Sequence, residues 1–157
     1  MLREHLYNLK VRWTGNKGTG TSDYKAYERN HTIESSGKPE LLASSEKAFR
    51  GDHSRYNPEE LLIAAVSGCH MLWYLHLCAD AGIVVLEYED LADGILEEFV
   101  GGGGHFKVIN LNPYITISEN SDLQLATDLH QRANEMCFIS RSLNFQVMHH
   151  PVIIYSS

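Results

Sequence analysis

Three cysteines decide what chemistry this 157-residue chain can carry. Cys69 and Cys78 fall in NPEELLIAAVSGCHMLWYLHLCADAGI, a nearly unbroken apolar stretch over residues 57–83, and Cys137 falls in ANEMCFISRSLN. A cysteine in an apolar helix is ordinarily a small buried hydrophobe. As a thiolate it would instead be a nucleophile, open to oxidation by peroxide or to exchange with another sulfur. On a helix, nine residues set Cys69 and Cys78 about 180° apart, so those two cannot pair within it and Cys78 reads as core. Cys137 ends a second helical segment, where a turn can present a thiol to another element. Zinc is a poor fit to Cys69, His70, His76 and Cys78. Neighbours on a helix diverge by about 100°, and no Cys-x-x-Cys or His-x-x-x-His pair is present to gather four ligands. His70 and His76 point about 120° apart and read as core or interface histidines, although either could lie beside the thiol. No metal site and no serine triad pattern emerges.

The elements that position these residues follow from pattern. EHLYNLKVRWTG and YKAYERNHTIES read as strands joined through NKGTGTS, and LLASSEKAF reads as a third short strand, giving an antiparallel meander. The long helix then starts with Asn57 as cap, Pro58 at the first helical position and Glu60 three residues after the cap, an Asn form of the capping box. It ends at Gly82, the residue type favoured just past a helix end. Because apolar residues surround it, this helix is expected to be central. IVVLEYEDLADGILEEFV and HFKVINLNPYITISE read as strands joined by Gly101–Gly104. Those glycines lack the Gly-Lys-Ser/Thr ending of a phosphate loop and read as a hairpin tip. Apolar residues at 123, 126, 129, 133 and 136 define a second helix from about Asn120 or Ser121. FQVMHHPVIIYS closes the chain as a strand. The order βββ–α–ββ–α–β is α+β, and the length suits one domain over residues 1–157.

Composition narrows the partners. A net charge of −7 excludes the basic footprint of a nucleic-acid binder and disfavours docking on an anionic membrane. The apolar run Leu61–Ala81 is interrupted by Ser67, Gly68, His70, His76 and Asp80, so a buried helix is the better reading than a membrane span. An odd number of cysteines behind a charged, alternating N-terminus predicts a reducing, cytoplasmic setting.

NPEELLIAAVSGC, followed by ANEMCFISRSLN, closely resembles the OsmC/Ohr family of osmotically inducible and organic-hydroperoxide-resistance proteins. That family carries Asn-Pro-Glu-Glu/Gln-Leu, with a cysteine ten residues after the first glutamate and a second near the end of a later helix. Glu59 and Cys69 keep the spacing, and Cys137 takes the second place. The resemblance spans essentially the whole chain. It implies an OsmC-like fold, with antiparallel sheets wrapped around long central helices in an intertwined homodimer. It further implies a thiol peroxidase without cofactor, in which Cys69 reduces organic hydroperoxides to alcohols and Cys137 resolves the sulfenic acid as a disulfide. A dithiol, lipoyl groups in the Ohr branch, would restore both thiols. Glu59 lies about 15 Å along the helix from Cys69, so it would reach the thiol of a second copy packed antiparallel, tethering an arginine that supports the thiolate. Arg50 in FRGD is the first choice for that arginine, with Arg55, Arg29 and Arg12 behind it. The alternative is a non-enzymatic OsmC-like redox sensor or apolar-ligand binder. The wording CHMLWYLHLCADAGI departs from the best-known peroxidases of the family, which leaves substrate and reductant less defined than fold.

Overall fold

The computed structural model describes residues 2–156 and divides into two compact units, Met1–Leu61 and Leu62–Ser157. In the first, β1 (Lys10–Trp13), β2 (His31–Glu34) and β3 (Leu41–Ala43) form the expected antiparallel meander, in the order β1-β2-β3. The strands are shorter than the sequence reading. β3 stops at Ala43 because Ser44 turns to other partners. Its N–H donates to Tyr56 O at 2.9 Å, and its hydroxyl accepts from Asp52 N at 3.1 Å. The following SSEK residues lead into a 3-10 turn at Lys47–Phe49 where the sequence suggested more strand.

The helix α1 (Pro58–Asp80) begins in the first unit and continues into the second. Its capping box is formed on both sides. Asn57 Oδ1 accepts from Glu60 N at 2.8 Å, and Asn57 N donates to Glu60 Oε2 at 3.0 Å. The other end closes as a Schellman turn. Gly82 sits at φ 75°, Ile83 N donates to Cys78 O at 2.9 Å and Gly82 N donates to Ala79 O at 3.2 Å. Ile83 and Cys78 then lie in the same apolar cluster, which fixes the chain's exit from the helix.

In the second unit, β4 (Val85–Asp90), β5 (Asp93–Glu98), β6 (Gly104–Leu111) and β7 (Pro113–Ile117) precede α2 (Leu123–Met136), and β8 (Gln146–His149) and β9 (Val152–Tyr155) follow it. They form two sheets, β4-β7-β9 and β5-β6-β8. Each long segment read from the sequence as one strand is therefore cut in two, and its halves serve different sheets. The cuts have local causes. Asn112 stitches the first two segments: its backbone N–H donates to Asp90 Oδ1 at 2.7 Å and its amide to Leu91 O at 2.9 Å. Pro151, with no N–H, ends the β6–β8 ladder after His150 N donates to Leu111 O at 2.8 Å. The sheets are mixed rather than antiparallel as expected, since β8 pairs with β6 and β9 with β7 in parallel. The glycine hairpin tip is present between β5 and β6, with Gly101, Gly102 and Gly103 all at positive φ.

α1 is not buried all round. Val66, His70, Tyr74 and Cys78, each one turn from the next, form its buried stripe, while Leu72 is 64% exposed. Within the second unit, Val66 packs with Phe106, Ile109 and Leu111. Tyr74 and Cys78 pack with Ile115, Ile117, Ala126 and Ala133. One sheet system covers one side of an otherwise apolar rod, and that is why the expectation of a central helix fails for the single chain. The polar Ser67 is accommodated by donating to Asp90 Oδ2.

α2 starts later than the sequence reading, because Ser121 is engaged elsewhere. Its hydroxyl accepts from Val84 N at 3.0 Å, and Asp122 takes the cap by accepting from Leu125 N at 3.0 Å.

Candidate active site

The geometry brings Cys69 and Cys137 together. Cys69 lies midway along α1 and is half-buried. Cys137 is the C-terminal cap of α2 and is fully buried, with 0% of its surface exposed. Both are free thiols. Cys137 and the backbone N–H groups of Ile139 and Phe138 all lie close enough to bear on the Cys69 thiol. These effects oppose one another. Burial, and then the neighbouring Cys137 thiol, raise the Cys69 pKa above its ordinary value, while the two N–H groups pull it down.

Cys137 collects donors of its own. Ser140 N and Ser140 Oγ donate to its sulfur at 3.4 and 3.2 Å, from the 3-10 turn Ser140–Ser142 that follows α2. The turn is closed by Arg141 N donating to Cys137 O at 3.1 Å and Ser142 Oγ donating to Phe138 O at 2.8 Å. The segment FISRS is thus a small cradle of N–H and O–H groups around two sulfurs. Its outer wall is aromatic: Trp73, one turn beyond Cys69 on α1, meets Phe138 edge-on with ring centroids 5.6 Å apart. Leu72, Trp73 and His76 line an apolar cleft of about 270 Å³ on the same helix. His76 faces Asp80 at 3.5 Å.

Beside the sulfur pair lies a histidine pair that sequence reasoning missed. His70 Nε2 and His130 Nδ1 are 3.0 Å apart across α1 and α2, their rings stacked at 5.3 Å. His149 of β8 closes on both, and Tyr74 stacks on His130 at 3.9 Å. His70 and His130 are fully buried, and the outer nitrogens, His70 Nδ1 and His130 Nε2, have no protein partner. Burial, with the charge of His149 behind it, holds His70 down to about 4. Burial, with His70 and His149, holds His130 down to about 3. His70 is therefore a neutral core group paired with His130. Among the described residues no cluster of histidine, cysteine and carboxylate side chains is arranged to hold a metal ion. Cys78 is core, as expected.

Glu59 and the candidate arginines lie in the first unit. Arg12 reaches Glu34 at 3.7 Å and Arg55 reaches Asp52 at 3.4 Å. Arg29 donates to Tyr27 O and Tyr24 O and lies over both tyrosine rings at 4.2 Å. Of the four, Arg50 alone has no side-chain partner among the described residues. It is also the only non-glycine among them at positive φ, 66°, and it borders a cleft with Glu28, Asn30 and Asp52. Glu59 makes no ion pair among the described residues. Among the described residues of the second unit, no cation is among the groups that shift Cys69.

A family described as OsmC-like protein matches residues 51–149. Along the full chain, the uncharacterized protein YmaD of Bacillus subtilis (strain 168) is 27% identical over 152 residues, covering 93% of this chain and 91% of its own. An OsmC-like protein of unknown function from Vibrio cholerae is 30% identical and superposes with a TM-score of 0.86, over 95% of this chain and all of the other. An organic hydroperoxide resistance protein from Elizabethkingia anophelis shares the fold at 20% identity and a TM-score of 0.65, over 98% of this chain and all of its own.

Proposed function

Because the chain belongs to the OsmC-like family, we propose that it is a thiol-dependent peroxidase, reducing organic hydroperoxides to alcohols. The juxtaposition of a half-buried Cys69 thiol and a fully buried Cys137 thiol carries this reading. Access supports the division of roles, since Cys69 is half-buried and Cys137 fully buried. The Cys69 thiolate attacks the distal oxygen, the O–O bond breaks, and the alkoxide leaves as an alcohol after taking a proton. The sulfenic acid left on Cys69 is attacked by Cys137, forming the disulfide and releasing water. A dithiol then returns both sulfurs to thiols, in a reducing cytoplasm. The apolar cleft at Leu72, Trp73 and His76 favours a peroxide with a hydrocarbon body over hydrogen peroxide.

The test is mass spectrometry after one equivalent of cumene hydroperoxide. The expected product is a peptide pair linked through residues 69 and 137. Free thiols at both positions would end the peroxidase reading. The rival reading is a redox sensor. Continuous consumption of peroxide with dihydrolipoamide separates the two, because a sensor stops after a single oxidation.

A peroxidase of this kind needs positive charge to hold the thiolate near neutral pH. We assign that charge to Arg50, whose side chain has no other partner among the described residues, with Glu59 of a second copy as its tether. A neighbouring cation favours the ionised thiol, so its loss moves the titration upward. Arg50→Ala should raise the midpoint of the pH–rate curve for peroxide by about one to two units. An unmoved midpoint would hand the role to another arginine.

A further inference from the structure

We propose that the Cys69–Cys137 disulfide is reduced in one direction only, by attack on Cys69, and that Ser140 is the group that sets Cys137 up as the departing sulfur. The inference rests on the redox pair described above and adds the polarity of its reductive half-reaction.

Three observations converge on it. First, Cys137 has none of its surface exposed whereas Cys69 is half-buried, so an external thiol meets only the Cys69 sulfur. Which sulfur is attacked in disulfide exchange is governed by access and by how well the other sulfur carries the departing charge. Second, Ser140 directs two donors, its N–H at 3.4 Å and its hydroxyl at 3.2 Å, at Cys137 Sγ. Donors already aimed at an atom stabilise negative charge as it develops there, without reorganising. Third, Ser140 lies in a closed 3-10 turn anchored to Cys137 itself through Arg141 N and Cys137 O, so donors and acceptor sit on one rigid piece of backbone.

The chemistry balances with a dithiol as the only co-reactant. One thiolate of the dithiol attacks Cys69 Sγ. The S–S bond breaks, its electron pair passes to Cys137 Sγ under the two Ser140 donors, and a mixed disulfide joins the reductant to Cys69. The second thiolate of the dithiol then attacks the reductant's own sulfur in that mixed disulfide. Cys69 leaves as thiolate, the dithiol becomes a cyclic disulfide, and two protons restore the two cysteine thiols. Two electrons have moved from the dithiol to the cysteine pair.

The experiment uses the full chain oxidised with diamide, which forms the disulfide without any peroxide. Brief reaction with the monothiol cysteamine, acid quench and peptide mapping should place the adduct on Cys69 and leave Cys137 free. With dithiothreitol as reductant, Ser140→Ala should slow loss of the disulfide about tenfold, and Ser140→Thr should restore most of the rate. A cysteamine adduct on Cys137 overturns the inference, as does a Ser140→Ala rate within twofold of the parent. A disulfide made by diamide but not by hydroperoxide sinks the peroxidase reading and leaves the adduct map to decide this one. Failure of diamide to link residues 69 and 137 sinks both.

Discussion

Cys69→Ser abolishes turnover of cumene hydroperoxide, with an expected loss of about a thousandfold or more, because a serine hydroxyl neither ionises near neutral pH nor accepts the oxygen atom. The companion variant fails differently. Cys137→Ser keeps Cys69 and its access to peroxide, so it should consume close to one equivalent and then stop with Cys69 as a sulfenic acid that dimedone traps. The contrast between no event and one event is the signature of a pair in which one thiol attacks and the other resolves. Stopped-flow measurement of peroxide loss, with peptide mapping of the trapped adduct, checks both. Unchanged consumption by Cys69→Ser would remove the enzyme reading altogether.

The second large effect concerns stability in mild acid. His70 and His130 share a hydrogen bond in the core, so both rings are neutral, one nitrogen of the bond carrying the proton and the other accepting it. Burial holds them near 4 and 3 against an ordinary 6.5, so between those values the unfolded chain binds protons that the folded chain does not. Stability is therefore complete above pH 6.5 and falls as the pH drops from there toward 4. His70 alone accounts for about 3 kcal/mol over that interval, and His130 adds to it. Urea unfolding across pH 7.5 to 4.5 should show a steep decline that begins above the carboxylate range. In His130→Asn, which offers a hydrogen-bonding amide without a titrating ring, the decline should be shallower. A flat profile from pH 6.5 to 5 would contradict the buried neutral pair.

How much of this was legible in the sequence depends on how local each feature is. The capping box at Asn57 and Glu60 and the stop at Gly82 were readable, because their partners lie within a turn of one another. The breaks at Leu91, Asn112 and Pro151 were less so. Each segment alternates well enough to pass as one strand, and only sheet pairing shows that its halves serve different sheets. The parallel pairings of β8 and β9 depend on residues some thirty-five or more positions upstream and leave no local trace. For the site, Cys69 and Cys137 were marked by family spacing, while their contact is tertiary. His130 was missed although a signal was present. It falls on the same stripe as Ala126 and Ala133, both buried, and seven residues before Cys137, which places both on nearly one face of α2. A histidine in that stripe, paired with one directly after Cys69, outlines the two contacts made between the helices. The Ser140 donors had no sequence signature beyond the serines of ISRS.

The last two strands have a consequence for how the chain is made. Residues 146–149 supply the third member of one sheet and residues 152–155 the third member of the other, each beside a strand synthesised much earlier. A nascent polypeptide emerging from the ribosome therefore carries two incomplete sheets with open edges until residues 146–155 appear. Long-range parallel pairing of this kind is slow to form and leaves unpaired edges exposed meanwhile. Completion is nearly simultaneous in both sheets, because only His150 and Pro151 separate the strands that finish them. The second unit should accordingly acquire protease resistance in a single step, once residues 146–155 have emerged.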